Sequence, residues 1–431
     1  MKLTIIGGGG IRVPLLVNGL VSRGLPITHV ALFDTDRDRL ELIARLARAR
    51  LSRTALTTHD DVTRALDGAA FVITSIRVGG LAAREHDEAV ALAHGLVGQE
   101  TVGPAGFAMA VRTVPPMMAY ARDIARLAPD AWVVNFTNPV GIVTQAMQRA
   151  ADVKIVGICD TPLELFAEVA HACDVEFREC SFDYIGLNHL GWLREAHYHG
   201  ETLLSKLWAD QEKLSRVYSR PLFPTAYLST LRLLPTEYVY FYVFPDRAVA
   251  NTRAAGRTRG MHVADLTAEL FARLGSAPDL AIELYEQYLA ERSGSYMQIE
   301  TGQQLPTPPS PWAELTGYDR VAYDVIAAIV GDTNAVVPVN VANAGNIPEL
   351  ETDDVIEVPC AIGTRGIRAQ SVGALPGAVR DLVTRVKQYE RLTIEASESK
   401  QSDALVSALA VNPLVRSKEI ATLLVDQLIL S

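Results

Sequence analysis

Cysteine is scarce in this sequence: the 431 residues include four, at positions 159, 173, 180 and 360. Their spacing does not form the framework of paired cysteines that stabilises small secreted proteins. We therefore expect no disulfides and a cytoplasmic location. A cysteine in a reducing compartment is available as a thiolate ligand or nucleophile.

Long apolar runs are also missing. No segment approaches the roughly 20 apolar residues that a membrane-spanning helix needs, so we expect no contact with a membrane. The first residues, MKLTIIGGGG, reach glycine after one short strand, whereas an export signal needs a longer apolar stretch before its cleavage site. Secretion is therefore not expected.

Positive charge is in deficit, with 40 Lys and Arg against 50 Asp and Glu and a net charge of -10. Wrapping around nucleic acid requires clustered cations, so no nucleic-acid partner is expected. A small anionic ligand remains compatible, because a few local arginines suffice to bind it. Hydrophobic residues make up 49% of the chain. A chain of this length exceeds what one core usually organises, which indicates two domains.

The first half alternates short β-branched segments with helical patterns, as βαβ units do. The strand segments are LTIIG, HVALFD, FVITSI, AWVVNFT and KIVGIC. They predict an α/β protein with an N-terminal Rossmann-like, doubly wound sheet, as in lactate and malate dehydrogenases. Ligands bind at the carboxyl ends of such strands, which here carry small or polar residues: Gly7, Asp34, Ser75, Asn135 and Cys159.

After SFDYIGLNHLGW the pattern changes to longer amphipathic helices, an aromatic segment EYVYFYVF and a Pro-rich loop around residues 301–311. We predict a nucleotide-binding Rossmann-like domain over residues 1–190. A C-terminal mixed α/β domain over residues 191–431 is predicted to serve substrate binding and oligomerisation. In this second domain AVVPVNVAN and VIEVPCAIG predict strands, and a closing pair of helices is predicted from Pro376 to about Leu430.

Four consecutive glycines follow the first strand directly and precede a helical segment. Glycines at this place let backbone amides approach a pyrophosphate. Asp34 ends the second strand, where a carboxylate bonds the ribose of NAD and repels the extra phosphate of NADP. The predicted cofactor contacts are Gly7, Gly8, Gly9, Gly10, Ile11, Asp34 and Asn135. The alternative is a structural turn with Asp34 as the cap of the next helix.

Further polar side chains lie at or near strand ends. Cys159 and His189 offer a thiolate and an imidazole, which bind divalent transition metals. The ordinary alternatives are a buried small side chain and a hydrogen-bonded core histidine. Asn138 could bond ligand hydroxyls or cap a helix. Arg84 and Arg259 could bind an anion or solvate a helix surface.

Segments along nearly the whole chain resemble the NAD- and metal-dependent glycoside hydrolases of family 4, especially bacterial 6-phospho-β-glucosidases. In chain order they are IGGGG, SIRVGGLAAREHDE, HGLVGQETVGPAGF, NFTNPVGIV, GICDTP, GLNHLGW, EYVYFYVFPD, TRG and YERLTIEA. The resemblance implies NAD and Mn²⁺ as cofactors and a phosphorylated disaccharide or glucoside as substrate. It also implies a homodimer or homotetramer.

The resemblance also implies residue roles. The manganese ligands match Cys159 and His189, and the substrate contacts match Arg84, Asn138 and Arg259, with the arginines meeting the sugar phosphate. The catalytic base matches Tyr238, which by composition alone would be a core aromatic in a tyrosine-rich strand. Asp160 matches the proton donor of the α-cleaving members, and its alternative role is to cap the following helix.

The implied reaction begins with oxidation. Hydride passes from C3 of the sugar to NAD, the metal polarises the resulting ketone, and the C2 proton becomes acidic. Tyr238 removes that proton as a tyrosinate, the C1 leaving group departs, water adds, and the hydride returns. The chain then acts as a 6-phospho-β-glucosidase without net redox change.

Two departures from the family pattern keep alternatives open. The glycine turn continues into Ile11 and Arg12 where the family has Ser-Thr, and Asp160 stands where β-specific members have Asn. A 6-phospho-α-glucosidase or another family 4 glycosidase is therefore the first alternative. An NAD-dependent 2-hydroxy acid dehydrogenase is the second, and a non-enzymatic nucleotide sensor is the third.

Overall fold

The computed structural model describes residues 1–51, 53–303 and 317–430, with the side chains of Ser22 and Tyr318 left aside. Within these ranges the strands are β1 Lys2–Ile6, β2 His29–Phe33, β3 Ala55–His59, β4 Phe71–Thr74, β5 Trp132–Asn135, β6 Lys154–Gly157, β7 Cys180–Leu187, β8 Leu190–Tyr198, β9 Glu201–Thr202, β10 Leu234–Pro235, β11 Ala335–Ala342, β12 Val355–Gly363 and β13 Gly366–Ala369.

The α-helices are α1 Val13–Ser22, α2 Arg37–Arg48, α3 Val62–Leu66, α4 Gly80–Ala93, α5 Gly103–Leu127, α6 Val140–Ala150, α7 Thr161–Ala172, α8 Leu204–Ala209, α9 Gln211–Ser215, α10 Thr225–Leu231, α11 Tyr240–Val243, α12 Pro245–Ala255, α13 Arg259–Ser276, α14 Ala281–Gly294, α15 Gln298–Thr301, α16 Gly317–Gly331, α17 Gly377–Ser399, α18 Ser402–Val411 and α19 Lys418–Val425. Short 3-10 helices cover Phe177–Glu179, Glu237–Val239 and Pro278–Leu280, and a π-helix covers Asp426–Leu430.

Six parallel strands form one half of the sheet, in the order β3-β2-β1-β4-β5-β6. This is the strand order of a Rossmann fold, and it confirms the predicted α/β class. Strand β3 was not among the predicted strands, because its segment ALTTH is polar and occupies the half-exposed edge of the sheet. An edge strand needs no apolar run, since one of its sides faces no neighbouring strand.

The second half of the sheet is antiparallel and continues beyond β6 through β11, β12, β7, β8 and β10. The strands predicted from AVVPVNVAN and VIEVPCAIG are β11 and β12. Residue 190 begins β8, inside the β7–β8 hairpin. The division into domains at this residue stays a prediction, because the sheet runs on without interruption.

The two halves meet at a joint with few backbone pairings, which extends into the antiparallel half. Strand β11 pairs with β6, across the boundary between the halves, only at Asn340 and Gly157, and beyond it β12 pairs with β7 only at Glu357 and Gly186. The Asn340 amide donates to the Glu357 carboxylate at 2.8 Å, which links the two contacts. A Cβ atom on Gly157 would lie 2.5 Å from Thr144 Oγ1, so the close approach at this point requires glycine.

Glu357 is the centre of this joint and is almost completely buried. It accepts hydrogen bonds from the Tyr184 hydroxyl at 2.8 Å and from the Asn188 amide at 3.2 Å, in addition to that from Asn340. Burial raises its pKa from 4.5 to about 7, although these three donors oppose the rise. Folding therefore favours the neutral, protonated form of the Glu357 carboxyl group in this joint.

Two expectations need correction, and a third falls outside the described residues. EYVYFYVF is not a strand, because Tyr238 lies in a 3-10 helix that leads into α11. The closing pair of helices is instead three α-helices, α17 to α19, and a π-helix. Most of the Pro-rich loop, residues 304–311, lies outside the described residues.

Replacing Glu357 by glutamine tests the joint. A carboxyl whose pKa is raised by folding stabilises the protein below its ordinary pKa, and this contribution is lost as the pH rises through the folded value. Wild-type stability should therefore fall relative to that of Glu357→Gln between pH 4.5 and 7. The slope is up to about 1.4 kcal/mol per pH unit. Calorimetric melting points across this range measure it.

The matched control is Glu395→Gln, which removes an exposed carboxylate from α17. Its melting point should follow the wild type at every pH. Parallel melting curves for wild type and Glu357→Gln would contradict the interpretation.

Candidate active site

A cavity of about 1100 Å³ lies along the carboxyl ends of the parallel strands. Most of the predicted site residues line it: Gly7, Gly9, Gly10, Ile11, Asp34, Arg84, Asn138, Asp160, Tyr238 and Arg259. Four predicted residues lie outside its lining: Gly8, Asn135, Cys159 and His189. The fold therefore gathers residues from both halves of the chain around one space.

The glycine turn after β1 forms one end of the cavity. Gly7 has a φ of 97°, and a Cβ atom there would lie 2.1 Å from the Ser75 carbonyl oxygen, so only glycine fits. The amides of Gly7 and Gly8 donate to the Phe33 carbonyl at 2.9 and 2.8 Å. The turn thus brings the start of α1 to the cavity, where a helix N-terminus favours an anionic ligand.

Asp34 stands beside this turn. Its carboxylate accepts from the Gly9 amide at 2.8 Å and from the Asp36 amide at 3.0 Å. The alternative that Asp34 caps α2 is wrong, because the cap is Asp36, whose side chain accepts from the Arg39 amide. Asp34 lines the cavity, and its contact with a ribose stays a prediction.

Unlike Asp34, Asn135 does not line the cavity. It is fully buried. Its amide accepts from the Thr74 hydroxyl at 2.8 Å and donates to Thr144 Oγ1 at 2.9 Å. These bonds tie the end of β5 to its neighbours, and the predicted cofactor contact stays a prediction that its position does not support.

The two predicted arginines are both buried, so the alternative of surface solvation is wrong. Arg84 forms ion pairs with Glu88 at 2.7 Å and with Glu100 at 2.9 Å. Arg259 is the first residue of α13 and donates to Ser295 Oγ at 2.7 Å. Burial lowers the pKa of Arg259 to about 10, with a further contribution from neighbouring arginines. Desolvated guanidinium groups in a cavity favour an anionic ligand.

Glu100 holds two arginines of the cavity together and was missed as an individual site residue. Besides Arg84, it pairs with Arg77 at 2.6 Å. Burial alone would raise the pKa of Glu100, but the two arginines outweigh it and hold the pKa well below its ordinary value. The available signal was the loop GQETVGP, in which polar side chains stand between glycines.

Neither Asn138 nor Asp160 caps a helix with its side chain, which was the alternative role considered for each. The N-cap of α6 is Pro139, so Asn138 does not cap that helix. Its Oδ1 atom is buried and has no hydrogen-bond partner in the described part of the chain. Asp160 occupies the N-cap position of α7, but its side chain makes no capping hydrogen bond and lines the cavity.

Tyr238 lies against His189 in a parallel stack, with ring centroids 3.8 Å apart and an interplanar angle of 2°. Burial raises the pKa of the Tyr238 hydroxyl well above its ordinary value, and the charges of Glu237 and Glu100 raise it further. A tyrosinate at this position therefore requires a nearby cation. Close by, the Tyr296 hydroxyl donates a hydrogen bond to the Glu237 carboxylate at 2.5 Å. Neither of these two residues was predicted as part of the site.

His189 fits a metal ligand. It is the second residue of the two-residue turn between β7 and β8, with a φ of 61° in the left-handed region. Burial lowers its pKa to about 4, which keeps the imidazole neutral at pH 7. Its Nε2 atom is buried and has no hydrogen-bond partner among the described residues. A buried ring nitrogen without a partner is the lone pair that a divalent cation needs.

Cys159 also fits a metal ligand, provided that its thiol is deprotonated. It is 1% exposed, and its thiol donates to Thr161 Oγ1 at 3.3 Å. Burial raises the pKa of the thiol well above its ordinary value, and the charges of Glu357 and Asp160 add to the rise. A metal ion would reverse this balance, because coordination deprotonates a thiol.

A group of three close carboxylates lies elsewhere, at Glu351, Asp353 and Asp354. Arg149 pairs with Asp353, and Arg391 pairs with the other two. These carboxylates already have cationic partners, and none of them lines the cavity. The predicted metal ligands therefore remain Cys159 and His189.

Comparison with known proteins identifies the family. The family 4 glycosyl hydrolases match residues 2–175, and their C-terminal domain matches residues 184–415. The 6-phospho-beta-glucosidase of Escherichia coli is 30% identical, and the alignment covers 100% of this chain and 95% of that protein. The chain therefore belongs to the family 4 glycosyl hydrolases, as the resemblance indicated.

Solved structures agree with this assignment. The 6-phospho-beta glucosidase of Thermotoga maritima with manganese, NAD⁺ and glucose-6-phosphate has a TM-score of 0.82 and 28% identity, covering 99% of this chain and 97% of that chain. A 6-phospho-alpha-glucosidase from gut microorganisms, in complex with NAD and Mn²⁺, has a TM-score of 0.82, 25% identity and the same coverage. A lactate dehydrogenase from a deep-sea metagenome library, with a TM-score of 0.54 and 13% identity over 92% of this chain and 98% of that chain, shares the fold alone.

Among the described residues, no helix combines the length and the apolar character that crossing a membrane requires.

Replacing Glu100 by glutamine tests the arginine pairs. The substitution leaves the buried guanidinium group of Arg84 and the partly buried one of Arg77 without their shared anion, so we expect a loss of about 3 kcal/mol in the free energy of unfolding. Urea titration followed by fluorescence measures it. The control Asp130→Asn removes a fully exposed carboxylate that pairs with Lys154 and should leave the midpoint unchanged. Equal midpoints for both variants would contradict the interpretation.

Proposed function

We propose that this protein hydrolyses 6-phospho-β-glucosides with the help of NAD and a divalent metal, Mn²⁺. The observation that carries the proposal is the stack of Tyr238 on His189, which places a candidate base beside a ring nitrogen that has no partner in the described chain. Family membership and relatives that act on 6-phosphoglucosides support it.

Each cofactor has residues suited to hold it. NAD would lie with its pyrophosphate at the glycine turn, Gly7 to Gly10 and Ile11, and its ribose at Asp34. The metal would be held by Cys159 and His189. When bound, these groups supply hydride transfer at C3 of the sugar and Lewis-acid polarisation of its C3 oxygen.

The substrate contacts follow from charge and burial. Arg84 and Arg259 would hold the sugar phosphate, because buried guanidinium groups bind phosphate oxygens in pairs of hydrogen bonds. The buried Oδ1 atom of Asn138 would accept a hydrogen bond from a sugar hydroxyl. Together these contacts would fix one sugar edge against Tyr238.

Tyr238 would remove the C2 proton of the oxidised sugar. Its pKa is raised by burial, so the tyrosinate would form only beside a cation. The enolate expels the leaving group from C1, and Asp160 would give a proton to the departing oxygen as a general acid. Water then adds at C1, and the cycle closes without net redox change.

The first alternative, a 6-phospho-α-glucosidase, is favoured by one observation. Asp160 stands where α-cleaving members carry their proton donor, and its side chain faces the cavity instead of capping α7. An NAD-dependent dehydrogenase is less well supported, since it has no need of Cys159 and His189 as a pair.

We also propose that the protein works in the cytoplasm as a homodimer or homotetramer. The four cysteines are all free thiols, which a reducing compartment supports. The net charge of -10 argues against a nucleic-acid partner. The nucleotide-binding domain would comprise residues 1–190, and the substrate and oligomerisation domain would comprise residues 191–431.

The activity test uses p-nitrophenyl 6-phospho-β-glucoside with NAD and Mn²⁺. Because each hydride returns to the sugar, we expect nitrophenol release without a steady rise in NADH absorbance. The α-linked phosphoglucoside and both non-phosphorylated glucosides serve as controls and should be slower. Steady NADH formation without nitrophenol would reject the glycosidase in favour of the dehydrogenase.

Tyr238→Phe tests the base. The variant keeps the ring stack on His189 but lacks the hydroxyl, so exchange of the substrate C2 proton with solvent deuterium should fall by at least about 100-fold. Affinity for NAD, measured by calorimetry, should stay at the wild-type value. NMR of recovered substrate follows the exchange, and undiminished exchange would remove Tyr238 from this role.

A further inference from the structure

The loop between α4 and α5 contacts the predicted metal ligand His189. Thr101 Oγ1 lies 2.9 Å from His189 Nδ1 and 2.8 Å from Gln99 Oε1. The backbone amide of Thr101 lies 2.7 Å from the same Gln99 oxygen. Gln99, Thr101 and His189 therefore form a continuous chain of hydrogen bonds that ends at the imidazole.

The direction of every bond in this chain follows from one fixed donor. A backbone N–H can only donate, so the Gln99 atom facing the Thr101 amide must be the carbonyl oxygen. That oxygen can only accept, so the Thr101 hydroxyl donates its single hydrogen to Gln99. The hydroxyl oxygen then has only lone pairs to offer His189, and His189 Nδ1 must carry a hydrogen.

The other ring nitrogen of His189 favours the same tautomer. His189 Nε2 is buried and meets no hydrogen-bond partner in the described ranges. A hydrogen on Nε2 would be a buried donor without an acceptor, which costs free energy. Both nitrogens therefore favour the same tautomer, with hydrogen on Nδ1 and a lone pair on Nε2.

We propose that Gln99 and Thr101 are positioning residues that hold His189 in the Nδ1–H tautomer, so that Nε2 is ready to bind the divalent metal. Residues that accept a hydrogen bond from the other ring nitrogen of a metal-binding histidine act in this way. The inference about the tautomer concerns residues of this chain alone. Its consequence for metal binding rests on the proposed function.

The loop is held firmly enough for this role. Gln99 is 7% exposed, and the Val102 amide donates back to its carbonyl at 3.2 Å. A Cβ atom on Gly106 would lie 2.4 Å from the Thr101 carbonyl carbon, so the first turn of α5 packs directly on the loop. Between the two positioning residues, Glu100 holds the arginine pairs. One loop thus serves both the predicted phosphate site and the predicted metal site.

Two pairs of variants separate the hydrogen-bonding role from side-chain size. Thr101→Val is nearly isosteric but removes the hydroxyl, whereas Thr101→Ser keeps it. Gln99→Leu removes the acceptor that orients the hydroxyl, whereas Gln99→Glu keeps an acceptor there. Thermal melting and NAD affinity of each variant show whether the fold is intact.

The tautomer is measured first, in metal-free protein at pH 7.5, by long-range ¹H–¹⁵N correlation of histidine-labelled samples. His189→Asn identifies the signals of this ring. We expect the Nδ1–H pattern in the wild type, Thr101→Ser and Gln99→Glu. Thr101→Val and Gln99→Leu should show the Nε2–H pattern in a measurable fraction of molecules.

Mn²⁺ affinity is measured next, by electron paramagnetic resonance of the free ion. Thr101→Val and Gln99→Leu should bind Mn²⁺ about 10- to 100-fold more weakly than wild type. Their NAD affinity should not change, and the two conservative variants should keep wild-type Mn²⁺ affinity. A structural role alone would weaken NAD and Mn²⁺ binding together and leave the tautomer as it is.

Two results would overturn the inference: an Nε2–H tautomer in the wild type, or a tautomer and Mn²⁺ affinity in Thr101→Val identical to the wild type. Failure of the proposed function gives a different result. In that case the wild type would show the Nδ1–H tautomer and the variants would shift it, but no form would bind Mn²⁺.

Discussion

The polar joint between the two halves of the sheet is the constraint on which the site depends. Asn340 and Glu357 bridge β6 and β7, the last strand of the parallel half and the neighbour of β12 in the antiparallel half. The chain leaving β6 reaches Cys159 two residues later, and the chain leaving β7 enters the turn that carries His189. Because Glu357 also accepts a hydrogen bond from Asn188 in that turn, the joint fixes the positions of both Cys159 and His189.

Burial acts on the site residues in one direction, toward their uncharged forms. It raises the pKa values of Tyr238 and Cys159 and lowers that of His189. A neutral imidazole is already suited to a metal, whereas the phenol and the thiol must each lose a proton. A divalent cation beside them would supply the missing stabilisation for both anions, which explains why such a site would be built around one.

The arginines differ from one another. Glu100 and Glu88 raise the pKa of Arg84 in spite of its burial, whereas burial lowers the pKa of Arg77, although Glu100 opposes this, and that of Arg259, where neighbouring arginines lower it further. The cavity therefore combines guanidinium groups held by a fixed anion with one whose charge is less well compensated. Such an arrangement can accept a phosphate without large rearrangement, since the cations are already desolvated and oriented.

Local sequence determined five of the six parallel strands and the nucleotide end of the cavity. Each of these five strands is a short apolar run, and the glycine turn and Asp34 lie within about 30 residues of each other, so that their geometry follows from neighbouring backbone. It also supplied the residue types of the site, though the family resemblance was needed to choose Tyr238 among the tyrosines.

Only the tertiary structure decided which side chains meet. The stack of Tyr238 on His189 and the Thr101 contact to the same ring join residues from distant parts of the chain. The tertiary structure also placed Asn135 where its amide donates to Thr144, and it placed Tyr296 beside Glu237. The physical reason is that periodicity reports which face of an element is buried, whereas the partner on that face depends on how distant elements pack.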